Sequence, residues 1–243
     1  MKQVYAYERV SDYEKYEKMT QRMKDLLKPY QFKLEAEYHL KELPKAIVWT
    51  TTELATETFS QIPIPAYTNR DIIYFAPDLE EWKRLFLDQL KDKNLPEVRR
   101  YYKTISEKHV LAILAHELTH HIDLFPDEFD DERDDSIWFE EGMCEYLPRK
   151  FLFSEEEFDQ FVNIEGKLVE VFSDQYGGHS LDDFGAKSYE GSLTSIMYDY
   201  WRSFLAVKQL VDRHNGDARL VLDQYNEWHL NGRKISLTKF FSI

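Results

Sequence analysis

The sequence predicts an α+β protein, with a mixed α/β N-terminal lobe holding a small sheet and an all-helical C-terminal lobe after it. Three observations carry this. Short β-type runs fall only within the first 75 residues. Every periodic segment after residue 105 has helical spacing. At 243 residues, with 43% hydrophobic and 15% aromatic content, the chain is too apolar to be disordered and long enough for one large domain or two closely packed lobes.

Taken in order, Ser11 to Leu27 reads as a charged helix that Pro29 stops. Phe32, Leu34, Ala36, Tyr38 and Leu40 then alternate with Lys33, Glu35, Glu37 and His39, the pattern of a half-buried strand. Ala46 to Thr50 is a second, shorter strand. Asn69-Arg70-Asp71 is a turn into a third, Ile72 to Phe75. Asp78 with Glu81 forms a capping box for a helix through about residue 92, and Pro96 suits the first position of the next. Helices are expected over 106–124, 137–147, 155–172 and 191–214. Pro148 stands just beyond the second, and Leu193, Ile196, Met197, Tyr200, Trp201, Phe204 and Leu205 form an apolar stripe on the last. Without repeats or Gly/Ser linkers, residues 1–124 and 125–243 are expected to form one unit, with an active-site cleft between its lobes.

Lys and Arg number 31 against 45 Asp and Glu, a net charge of −14 that argues against nucleic acid or an anionic membrane as the main partner. The single cysteine, Cys144, excludes an intramolecular disulfide and a cysteine-only metal site. No apolar run reaches membrane-helix length, and the first ten residues lack a signal-peptide core. The expected setting is cytoplasmic.

Chemistry concentrates in residues 109–124, HVLAILAHELTHHIDL. His116-Glu117-Leu118-Thr119-His120 fits H-E-x-x-H, in which i and i+4 imidazoles on one helix face can reach a single cation. Glu117 projects beside that cation, where it can take a proton from an activated water. Val110, Leu111, Ile113, Leu114 and Leu118 give the helix an apolar surround. His109 and His121, next to the motif, read as core or surface histidines.

Downstream, residues 136–147 read SIWFEEGMCEYL, a second helix with Asp135 or Ser136 as N-cap. Here the sequence resembles the gluzincin metallopeptidases, the superfamily of thermolysin and aminopeptidase N. Trp138, Glu141, Gly142, Glu145 and Tyr146 fall on their W-x-x-E-G-x-x-E/S-Y element. The resemblance implies a zincin-like fold and a Zn2+ ion held by His116, His120 and Glu141, with Glu117 as catalytic base. It implies that Glu145 orients His116. It covers roughly residues 66–215. Two imidazoles and a carboxylate leave a fourth position open, as in catalytic zinc sites. For the oxyanion, Tyr189 in Ser-Tyr-Glu-Gly-Ser resembles the Y-x-x-G tyrosine of aminopeptidase-type members, one residue shorter. Tyr198 is a competitor, and His179 in Gly-Gly-His is a candidate for the substrate-binding or oxyanion role that a histidine plays in thermolysin-like members.

The expected activity is therefore zinc-dependent peptide hydrolysis, with a non-catalytic peptide- or partner-binding protein on the same fold as the alternative. In Pro65-Ala66-Tyr67-Thr68-Asn69, Thr68 stands where aminopeptidases carry the glutamate that reads a free amine. This favours an endopeptidase or oligopeptidase, and strand 72–75 could pair with substrate backbone. Residues 123–135 hold eight acidic residues and one arginine, reading as a solvated loop or as a field for a basic peptide substrate. Glu165 lies on an apolar helical face and needs a partner that the sequence does not name.

Overall fold

The computed structural model describes residues 1–127 and 135–243. Most of the acidic segment expected at 123–135 therefore lies outside the described residues. The chain divides into two compact units, Met1–His121 and Ile122–Ile243. The fold is α+β, with its strands in the first unit and helices throughout the second.

The first unit is built on a four-stranded sheet of order β1-β2-β4-β3, from β1 (Lys2–Ala6), β2 (Ala46–Thr50), β3 (Ala66–Asn69) and β4 (Ile72–Phe75). β1 and β4 flank β2 in parallel, from Lys2↔Ala46 and Ala46↔Ile72. β3 runs antiparallel to β4, with Asn69↔Ile72 beside the tight turn at Arg70, whose φ is +50°. All five residues of β2 are buried, as its central place and its Ala-Ile-Val-Trp-Thr sequence require. β4 also has neighbours on both sides, so the free edge near it belongs to β3 and not, as expected, to strand 72–75.

The strand expected over Phe32–Leu40 is absent. Instead α1 runs from Val10 to Glu37, straight through Pro29. Its buried residues Tyr16, Thr20, Met23, Leu27, Tyr30 and Leu34 step by four and three, one continuous helical face. Phe32, which the alternation placed in the core, is 62% exposed. Pro29 is exposed as well, so its missing hydrogen bond falls on the solvent side, where water can satisfy the freed carbonyl. The helix ends where His39 turns left-handed (φ +56°) and the Leu40 N–H closes on the Leu34 carbonyl.

α2 (Leu79–Asp88) starts as expected, the Asp78 carboxylate accepting from the backbone of Glu80 (3.0 Å) and Glu81 (3.3 Å). The same carboxylate takes Lys15 (2.8 Å) and Tyr16 of α1. Burial works against its charge, but these hydrogen bonds outweigh it and hold Asp78 below the usual carboxylate range. Leu54–Phe59 is a π-helical segment. α3 (Pro96–Thr104) begins on Pro96, and α4 (Glu107–Thr119) stops five residues before the end that the sequence suggested.

The second unit holds α5 (Ile137–Leu152), α6 (Glu155–Tyr176), α7 (Leu193–Arg213), α8 (Ala218–Leu230) and the short α9 (Leu237–Phe241). α5 overrides Pro148, which is buried within it. α6 opens on a Ser154/Glu157 capping box. The last two helices follow the aromatic stripe of α7 and were not anticipated. Phe139, Trp201, Phe204, Tyr225 and Trp228, all at most 2% exposed, form the core of this unit. Among the described residues no helix is long and apolar enough to cross a membrane.

Candidate metal centre

The H-E-x-x-H segment occupies the last turn of α4. His120 is its C-cap, but φ −56° and ψ −16° keep it right-handed, so the face begun at His116 is unbroken. The two imidazoles converge: their Nε2 atoms stand 3.1 Å apart and their rings cross at 71°. Two bonds of zinc–imidazole length at a tetrahedral angle place their nitrogens about 3.3 Å apart. The pair thus has the spacing of two ligands to one ion.

Other elements of the first unit pin this turn. Thr119 is fully buried and spends its single proton on the Ala115 carbonyl (2.7 Å). The Tyr30 hydroxyl of α1, 2.7 Å away, is then the donor to Thr119. Glu117 is 6% exposed, and its Oε2 accepts from the Thr68 hydroxyl of β3 at 2.8 Å. Val110, Leu111, Leu114 and Leu118 are buried as the sequence indicates. His109 is a capping group, its Nδ1 accepting from the Ser106 N–H at 3.2 Å. Burial, with His120 beside it, pushes the His121 imidazole down to about 4 against the opposing pull of Asp71.

In the second unit α5 carries Glu141, 8% exposed, whose Oε1 accepts from the Tyr189 hydroxyl at 2.9 Å. The Tyr200 hydroxyl of α7 lies 3.1 Å from that of Tyr189. At Gly142 α7 comes close: a Cβ there would stand 2.4 Å from the Ser203 carbonyl oxygen and 2.7 Å from a Val207 methyl carbon. The Trp138 indole donates to Asp182 (3.2 Å), which also accepts from the Thr238 backbone (3.0 Å). Glu140 accepts from Tyr225 at 3.0 Å.

Glu145 forms an ion pair with Arg149, and Arg149 reaches Glu165 at 2.8 Å. This is the partner that Glu165 required. The guanidinium lies over the Phe161 and Phe204 rings, 4.7 and 4.3 Å from their centroids. Burial pushes the Glu165 carboxyl above the usual range, Arg149 pulls it back, and Glu145 adds to the rise. His179 donates or accepts at 2.9 Å from Asp199, which also takes Arg202 at 3.3 Å. Burial raises the Asp199 carboxyl too. Tyr198 is 2% exposed and packs edge-on to Trp201. Asp127 and Asp135, the described ends of the acidic segment, both pair with Arg233.

Of the residues singled out in the sequence, three meet at one place. One ligand atom from each of His116, His120 and Glu141 lies within 4.8 Å of the others, a group that could hold a metal ion. Tyr189 joins them through Glu141. Thr68, Tyr200 and Arg149 were not identified as partners of these residues; of the three only Arg149 stands at a local helical spacing from a motif residue, four after Glu145 on α5. Comparison of the chain with protein-family models, curated proteins and solved structures finds no match.

Proposed function

We propose that the protein is a zinc metallopeptidase of gluzincin type, with a zincin-like fold, hydrolysing peptide bonds of a peptide or protein substrate. The observation that carries the proposal is the buried His116–His120–Glu141 group, with the Glu117 carboxylate next to it in sequence and fixed by Thr68. Two imidazoles and one carboxylate are a borderline-soft donor set that suits zinc better than magnesium or calcium. When bound, zinc supplies a Lewis acid and an activated water.

The chain's own groups supply the rest. Glu117 accepts the proton of the attacking water and returns it to the leaving amine. Thr68 holds one of its oxygens, so the other is the proton acceptor. Glu145 is paired with Arg149, one turn along α5. β3, an edge of the sheet, presents backbone groups on its outer side that can pair with an extended substrate. Thr68 offers a hydroxyl already donated to Glu117, not a carboxylate for a free amine, which favours an endopeptidase or oligopeptidase over an aminopeptidase. A cytoplasmic setting is in keeping with a cysteine count of one.

The test is turnover. The purified chain is loaded with zinc and given a diverse peptide mixture, alongside Glu117→Gln. Wild type should cleave, and Glu117→Gln should lose about a thousandfold or more of the rate while keeping its metal. A zinc-loaded wild type that binds peptides and cleaves none would instead make this a binding protein on the same fold.

A further inference from the structure

The Tyr189 hydroxyl carries one proton, and an ionised carboxylate can only accept. At 2.9 Å from Glu141 Oε1 that proton goes to the carboxylate. The Tyr200 hydroxyl, 3.1 Å from Tyr189, must then be the donor in its turn. The direction of the chain is fixed: Tyr200 to Tyr189 to Glu141. Its members come from α7, from the 3-10 turn Ala186–Glu190 and from α5. One ring seats both phenols. Phe184, fully buried, lies 5.8 Å from the Tyr189 ring and 5.4 Å, edge-on, from that of Tyr200.

We propose that Tyr189 and Tyr200 are positioning residues that hold Glu141 as a one-oxygen metal ligand. The inference rests on the metal-centre reading above. A carboxylate free to turn can present both oxygens to a cation, filling the coordination position that a catalytic zinc site keeps open. A phenol on Oε1 blocks that rotation and leaves the other oxygen as the ligand atom. A neutral donor does so without cancelling the carboxylate's charge, which the cation needs. Tyr200 strengthens the device by polarising Tyr189, since a hydroxyl that accepts one hydrogen bond donates a stronger one.

Zinc dissociation constants, measured by chelator competition on the full chain, test this without any turnover. Tyr189→Phe should weaken zinc binding by about tenfold to a hundredfold. Tyr200→Phe should weaken it by about threefold in the wild-type background and not at all when added to Tyr189→Phe, because the second bond acts only through the first. With Co2+ in place of zinc, Tyr189→Phe should lower the visible absorption, as a four-coordinate site becomes five-coordinate. Unfolding midpoints of both variants should stay near that of wild type, which separates this effect from loss of fold. Unchanged zinc affinity and cobalt spectrum, with a loss confined to peptide turnover, would overturn the proposal and make Tyr189 the oxyanion donor. A wild type that takes up no zinc would remove the metal centre itself. A wild type that binds zinc but cleaves nothing would remove only the peptidase reading, because the affinity comparison does not depend on catalysis.

Discussion

Glu141 and Glu165 are both buried carboxylates of the second unit, 8% and 6% exposed, and they have opposite partners. Glu165 faces the Arg149 guanidinium, a full positive charge that it shares with Glu145. Glu141 accepts from a phenol, which stabilises its charge without neutralising it. A carboxylate closed by arginine has its cation already; one held by a neutral donor can still serve another. Burial does not distinguish the two. The charge of the donor does.

The largest expected effect separates them directly. Glu141→Ala should abolish stoichiometric zinc uptake, measured by atomic emission after dialysis, while far-ultraviolet dichroism keeps its helical signal. Glu165→Gln should bind zinc as wild type does. Equal loss in both variants would erase the distinction and make the general acidity of the second unit, rather than a ligand set, the source of metal binding.

Arg149→Met sharpens the other side of the comparison. At a pH above the raised value of Glu165 it should cost about 3–5 kcal/mol in denaturant unfolding, because two acids then lose their shared cation in a buried place. Adding Glu165→Gln should recover part of that loss, since a neutral amide needs no counter-charge. Additive losses would mean that Arg149 contributes mainly by stacking on Phe161 and Phe204.

These partners also mark where sequence reading stops. His116 and His120 are legible together because one helical turn relates them, and Glu141 follows from a second motif of the same local kind. Thr68, Tyr200 and Arg149 reach Glu117, Tyr189 and Glu165 only through the packing of separate elements, which no spacing encodes. The false strand at 32–40 has a related cause. Tyr30, Leu34 and Tyr38 step by four as well as lying in an alternating stretch, and α1 buries the helical set. β1 escaped notice because Lys2–Ala6 is a short edge strand with exposed residues on it and no clean alternation.

Gly142 tests how firmly α5 must be held for Glu141 to serve. Gly142→Ala puts a methyl group where the Ser203 carbonyl and a Val207 methyl already lie, and α5 must move off α7. The expected cost is about 2 kcal/mol in denaturant unfolding, with weaker zinc binding because Tyr200 rides on α7. Wild-type stability in this variant would mean that the two helices can separate without strain, and the close approach would lose its role.

The smallest effect is a slope. Burial raises the folded-state pKa of Glu165 above its unfolded value, so between those two values the folded protein binds more protons than the unfolded chain. Stability from this group therefore falls as pH rises from the ordinary carboxylate range through the raised value. Asp78 runs the other way. Its folded pKa is depressed, so its contribution is present above the unfolded value and lost as pH falls through the folded one. Glu165→Gln should flatten the decline of unfolding free energy on the neutral side and leave the acid limb to Asp78. If the neutral side keeps its slope in Glu165→Gln, Arg149 holds Glu165 ionised throughout, and Glu165 is as fully charged in the folded protein as the metal-centre reading requires of Glu141.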